Sequence, residues 1–209
     1  LDQLQSGQHP LPPEFALQER HLRASIALQR DDTEAVFELI APSDFELLAD
    51  GFVRQVHLAV LGFAYCAAGR YPQARALHGR IVADLAHAEL DADMTLIAES
   101  NLLLGHLLEG DNREALRTGN ALVARAEAAH GRRSVSAINS AAYLADALYE
   151  ADRLGEAQEV LSHRLDLLRL TSPEPMVRAV IVHARLLATQ RSHEEALRAL
   201  VRDEARCRQ

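Results

Sequence analysis

The chain has no lysine and no tryptophan; its 22 basic residues are all arginine, and aromatic residues make up 4% of the 209 positions. Without lysine there is no Schiff-base nucleophile and no P-loop, whose Gly-Lys-Ser/Thr end needs that side chain. With so few aromatic residues, packing must rest on Leu, Ala and Val; rich in Leu and Ala, this composition favours helices and supplies little for strands. Two cysteines, Cys66 and Cys207, make neither a metal motif nor a redox motif. Cys66 lies in an apolar run and is expected to be an inert core thiol; this usage suits a reducing cytoplasm. No apolar run reaches the roughly 18 residues of a membrane span, and residues 1–15 carry no signal-peptide pattern. The formal net charge of -8 works against phosphate backbones, so direct nucleic-acid binding is not expected.

Hydrophobic residues make up 48% of the chain, enough for a continuous core. Their arrangement is repetitive. A turn followed by alanine recurs with alanines at 35, 74, 115, 157 and 196, spaced by 39, 41, 42 and 39. Twelve residues before Ala157 and Ala196 stand Ala145 and Ala184, and Gly62 holds that place before Ala74. Leu103, twelve before Ala115, departs from the pattern. Small residues at such places let paired helices approach closely. A period near 40 built of helix pairs indicates an all-α fold, an α-solenoid (superhelix) of about five tetratricopeptide-like repeats.

Residues 134–170 show the unit most clearly. Ile138, Ala141, Leu144, Ala145 and Leu148 fall at helical spacing on one stripe, and Ala157, Val160, Leu161 and Leu165 line a second helix expected over 154–170. Other helices are expected over 14–30, 52–68, 71–88, 93–109, 112–130, 134–150, 173–190 and 193–206. In the first of these, Phe15, Leu22 and Ile26 are expected to face inward. Ser43 with Glu46, Asp111 with Glu114 and Ser192 with Glu195 read as capping boxes. Residues 1–13 read as a tail or linker. Residues 14–209 read as a single repeat domain, with 14–50 an atypical first repeat and 51–206 regular pairs. Because the chain starts with Leu1 rather than Met, it reads as a piece of something longer.

Motifs for chemistry are sparse. None of the ten histidines has a partner at metal-ligand spacing, no Gly-x-Ser-x-Gly singles out a nucleophile, and the acidic residues cluster at turns. No metal, no cofactor and no enzymatic activity are therefore expected. What remains is geometry. In a helix-pair solenoid the first helix of each pair lines the concave side, where polar residues stand beside the core stripe. These are Ser100 and Asn101, then Asn139, Asp146 and Tyr149, then Arg178 and Arg185. The arginines suit a carboxylate or phosphate; Asn139, Asp146 and Tyr149 suit a polyol or peptide. The plainer alternative is that Asp146 and Arg185 pair with each other between neighbouring repeats.

The segment Ala142-Tyr143-Leu144-Ala145-Asp146-Ala147-Leu148-Tyr149-Glu150 with Leu154-Gly155-Glu156-Ala157 resembles the tetratricopeptide-like region of MalT-type, LuxR-family ATP-dependent transcription regulators. Val177-Arg178-Ala179-Val180, Ala184 through Ala188, Glu195-Ala196-Leu197, and Leu61 through Tyr65 are similar in the same way. The resemblance spans about residues 50–206. It implies a cytoplasmic sensing segment that binds a small-molecule inducer or a regulatory protein and couples to other domains of the same regulator. A free-standing tetratricopeptide adaptor that binds a peptide or protein in its groove is the alternative.

Overall fold

The computed structural model describes residues 13–47, 52–87, 92–171, 173–190 and 192–207. They form α1 (Pro13–Gln29), α2 (Thr33–Leu39), α3 (Phe52–Ala67), α4 (Tyr71–His87), α5 (Ala92–Glu109), α6 (Asn112–His130), α7 (Val135–Glu150), α8 (Leu154–Leu161), α9 (Pro173–Thr189) and α10 (His193–Cys207). Short 3-10 segments occupy Pro42–Leu47 and Leu165–Leu170, and the described residues contain no strand. The chain falls into two compact units, residues 1–81 and 82–209. No helix among the described residues is long and apolar enough to cross a membrane.

The repeat is written in the turns as well as in the alanines. In each pair, the amide closing the turn donates to a carbonyl five residues back. Asp32 reaches Ala27 at 3.0 Å, Arg70 reaches Tyr65 at 2.8 Å, Asp111 reaches His106 at 2.9 Å, Arg153 reaches Leu148 at 2.9 Å and Ser192 reaches Leu187 at 3.0 Å. The residue before the donor is left-handed in four of these turns: Asp31 (φ 57°), Gly69 (70°), Gly110 (77°) and Asp152 (58°). This is the helix-ending motif in which one left-handed residue lets two stranded carbonyls find donors. Caps open the following helices. Asp32 Oδ1 accepts from the Ala35 amide, Asp111 Oδ1 from Glu114 and Ser134 Oγ from Ala137.

Counted by these turn bonds, the first interval is 38 residues rather than 39, because the wholly buried Val36, not Ala35, holds the place after the α1–α2 turn that Ala74, Ala115, Ala157 and Ala196 hold after the others. One residue turns a helix by about 100°. Ala24, completely buried, therefore takes the small-residue place that the alanine count would give to Arg23. The expected inward stripe of α1 is corrected accordingly. Leu17, Ala24 and Ala27 are buried, whereas Phe15, Leu22 and Ile26 lie on the opposite side of the helix and are exposed. The first unit is otherwise held by α1 against α2 and α3, and by α2 against α3. Arg20 donates to Asp44, whose Oδ2 also accepts the Ala41 amide at 2.9 Å. Asp44 thus reaches back from within the following segment to the amide just before it; that segment is 3-10 rather than α, and the Glu46 side chain of the expected capping box lies outside the described residues.

In the second unit α7 is packed by α5, α6, α8 and α9. Residues 136–148 are buried without a break, most of them under these four neighbours. Its core stripe lies where the periodicity puts it: Ile138, Leu144, Ala145 and Leu148 join Ala157, Leu161 and Leu168 and the α9 residues Ala179, Val182 and Leu186 in one cluster.

The helix expected over 154–170 is broken. α8 ends at Leu161, His163 takes a left-handed φ of 63°, and a 3-10 segment begins at Leu165. The cause is Arg164. Only 3% of its surface is exposed, and its guanidinium donates to the Glu127 carboxylate and to the Val160 carbonyl. That carbonyl belongs to the last turn of α8, so the side chain supplies a donor the helix no longer provides. Burial pulls the Arg164 pKa down, against the opposing pull of Glu127. Residues 1–12 of the expected tail, Ser172 and the side chain of Cys207 lie outside the described residues.

Candidate interaction face

The polar candidates divide into two groups. Ser100 and Ser140 face each other across the α5–α7 contact with their hydroxyls 3.0 Å apart, and both are buried. Ser100 Oγ also lies 2.9 Å from the Leu96 carbonyl oxygen and Ser140 Oγ 2.7 Å from that of Ser136, and Ser136 lies 3.3 Å from the capping hydroxyl of Ser134. One hydroxyl donates along its own helix while the other donates across to it, so two first helices can approach with only a serine's bulk between them. Ser100 is thus enclosed between helices, and Asn101, one residue on, is also buried.

The second group lies where α7 and α9 run side by side. Asn139 and Asp146 stand two turns apart on one face of α7. Arg178 and Arg185 stand at the matching positions of α9, 39 residues later. Arg178 Nη1 reaches Asp146 Oδ2 at 2.6 Å and its Nε also donates to Glu174 on its own helix. Burial alone would lower the Arg178 pKa, but the carboxylates of Glu174 and Asp146 outweigh it and the net direction is up. Arg185 does not meet Asp146. Its guanidinium instead pairs with Glu150 at 3.2 Å and lies 5.5 Å from the Tyr149 ring centre, in cation–π range. Pairing between neighbouring repeats is therefore present, shifted so that each arginine finds a different acid.

Two acceptors on this face are left over. Asn139 is 6% exposed and its Oδ1 has no hydrogen-bond partner; the second Glu174 oxygen, Oε2, is likewise buried without one. A buried acceptor without a donor costs about 1–3 kcal/mol. An arginine held between two acids, with an unserved amide oxygen on the same face, suits a ligand that brings N–H donors.

Sequence reasoning placed Glu150 on the same stripe as Asn139, Asp146 and Tyr149, but missed Glu174 and the Arg164–Glu127 pair. Glu174 is visible in retrospect as the residue one turn before Arg178. Arg164 gives no signal, because an arginine in a helical run reads as solvated.

No family model matches the chain, and no curated protein matches it. Solved structures do. Among them are TPR-like repeats of a kinesin light chain-like protein from Podosopora anserina, 21% identical over 95% of this chain and 97% of that one, with a TM-score of 0.63. Another form of the same repeats is 20% identical over 96% and 97%, with a TM-score of 0.62. BtubC (BKLC) from P. vanneervenii is 12% identical over 93% and 87%, with a TM-score of 0.61. The class of the fold is thereby that of TPR-like helical repeats, as the period of about 40 implies. The resemblance to MalT-type regulators gains nothing from these comparisons beyond the repeat itself.

Proposed function

We propose that this chain is a non-enzymatic interaction module that holds an extended protein segment against the α7–α9 face. The observation that carries this reading is the unpartnered Asn139 Oδ1, 6% exposed and set on the same face of α7 as the Asp146–Arg178 pair. An extended peptide presents a backbone N–H at every second residue towards one side, the donor that Asn139 and Glu174 both lack. Asp146, Glu150 and Glu174 also favour a basic side chain on that segment, at the expense of an acidic one. Tyr149 and Arg185 would flank the bound segment, while Ser100 and Asn101 support the face from within the helix packing.

The test is titration of labelled basic, neutral and acidic peptide libraries by fluorescence anisotropy, followed by Asn139→Leu. Leucine has the same branched outline, with bulkier methyl groups, and needs no donor. The substitution should therefore abolish binding while leaving stability unchanged or raised by about 1 kcal/mol. Loss of stability with binding retained would rule out the proposed role of Asn139.

The finer context is proposed on the motifs of residues 142–150, 154–157 and 177–188. There the segment would serve a MalT-type, LuxR-family regulator in the cytoplasm, coupling an inducer or regulatory protein to other domains of that protein. It would shift the population between two states rather than contact DNA itself. A metabolite that raises the melting midpoint where no peptide does would favour this context over a free-standing adaptor.

A further inference from the structure

Each first helix of an inner repeat has two packing stripes, one for the repeat before it and one for the repeat after. Aligning the helices by their turn hydrogen bonds puts Ser136, Ser140, Tyr143 and Ala147 of α7 level with Pro175, Ala179, Val182 and Leu186 of α9. All eight are buried. The Ser140–Ser100 hydrogen bond shows that this stripe of α7 meets the preceding first helix, and in α9 the stripe joins the cluster containing Ile138 and Ala142 of α7. On α1 the same places hold Phe15, Glu19, Leu22 and Ile26. Here Phe15, Leu22 and Ile26 are exposed, while Glu19 is drawn aside by Arg23 at 2.8 Å.

The stripe for the following repeat tells the complementary story. Ile138, Ala142 and Leu161 of the α7–α8 pair are 1%, 0% and 2% exposed. Their counterparts 39 residues later, Val177, Ile181 and Leu200 of the α9–α10 pair, are 42%, 39% and 38% exposed. Leu197 and Val201 extend that surface along α10 and are also exposed. Repeat arrays bury such faces by stacking, and an uncovered one is an adhesive surface.

We propose that these two surfaces fit each other in trans. The Val177/Ile181/Leu200 face of one copy seats on the Phe15/Leu22/Ile26 stripe of α1 of a second copy, as α7 seats on α9 within one chain. A second copy is the occupant that fits because this chain carries both halves of its own inter-repeat contact, apolar on both sides and at matching repeat positions. Such a contact is heterologous: it joins different patches, so a third copy can add to the second. It is separate from the Asn139–Arg178 face and does not depend on the function read from it.

The experiment is sedimentation velocity of the 209-residue chain over a concentration series, with two variants. One carries Leu22→Glu and Ile26→Glu; the other carries Val177→Glu and Ile181→Glu. All four positions are exposed, so unchanged circular dichroism is expected and confirms that each variant is folded. The unaltered chain should associate beyond dimers as concentration rises. Each variant alone should remain monomeric, and an equimolar mixture should form one-to-one dimers and stop there, because it contains one intact pair of surfaces. An unaltered chain that stays monomeric throughout overturns the proposal. So does a variant that still dimerises alone, which would mean like-to-like contact, or a mixture that forms no dimer.

Discussion

In the α3–α4 pair the small residue sits on the first helix and the large one on the second. Gly62 faces the buried His78 ring so closely that a Cβ would lie 2.4 Å from Nε2. In the α5–α6 pair the roles are exchanged. Leu103 holds the place of Gly62, and Gly119 holds the place of His78, four residues after the repeat alanine. A Cβ on Gly119 would come within 3.3 Å of Leu103 and 3.0 Å of Leu144. Ala145 with Leu161 follows the first arrangement, both residues lying in one core cluster. What the repeat preserves is therefore the combined bulk of a facing pair, not the residue at either place. Leu103 departs from the spacing rule, and Gly119 absorbs the departure.

The sharpest way to break this comparison is Gly62→Leu. The new side chain meets a ring that is itself wholly buried, and loss of cooperative folding of residues 1–81, or at least about 3 kcal/mol by urea denaturation, is expected. Gly119→Leu should cost less, roughly 1–3 kcal/mol, because Leu103 and Leu144 are flexible neighbours. Adding Leu103→Ala should recover a good part of that loss, a coupling expected only of touching residues. Simple additivity in the double variant would show that the bulk exchange is coincidental.

The smallest expected effect separates the two units by pH. The His21 and His57 rings stack at 3.8 Å in the first unit. Burial, and then the neighbouring His57, hold the His21 pKa down at about 4 against an ordinary 6.5. A histidine with a lowered pKa prefers to be neutral when folded. Its contribution is complete above pH 6.5 and declines as the pH falls towards 4. The melting midpoint of the first unit should fall across that interval, and His21→Leu should flatten the slope. An unchanged slope in the variant would place the acid sensitivity elsewhere.

Much of this architecture could be read in the chain. The alanine period, the paired helices and the core stripe of α7 follow from local spacing, and Asp111 caps the helix it was expected to cap. Three features could not be read. Val36, not Ala35, holds the repeat alanine's place after the α1–α2 turn, a shift of one residue that leaves the alanine interval ordinary while moving the inward stripe of α1 to Leu17, Ala24 and Ala27. The break after Leu161 depends on Arg164 reaching an acid 37 positions earlier. The enclosure of α7 depends on four neighbours at once, whereas a periodicity argument sees one face at a time. The candidate face was partly legible for the same reason. Asn139, Asp146, Arg178 and Arg185 share a surface through the repeat, but which arginine meets which acid is decided by side-chain reach.

The enclosure of α7 also sets an order of events in time. Helices at the margin of a repeat array can open without disturbing the rest, and their amides then exchange with solvent through small local fluctuations. The amides of α7 have no such private route. To expose them, α5, α6, α8 or α9 must first come away, so this helix is the slow clock of residues 82–209. Its protons report the loss of the whole unit, and those of α10 report only the fraying of its edge.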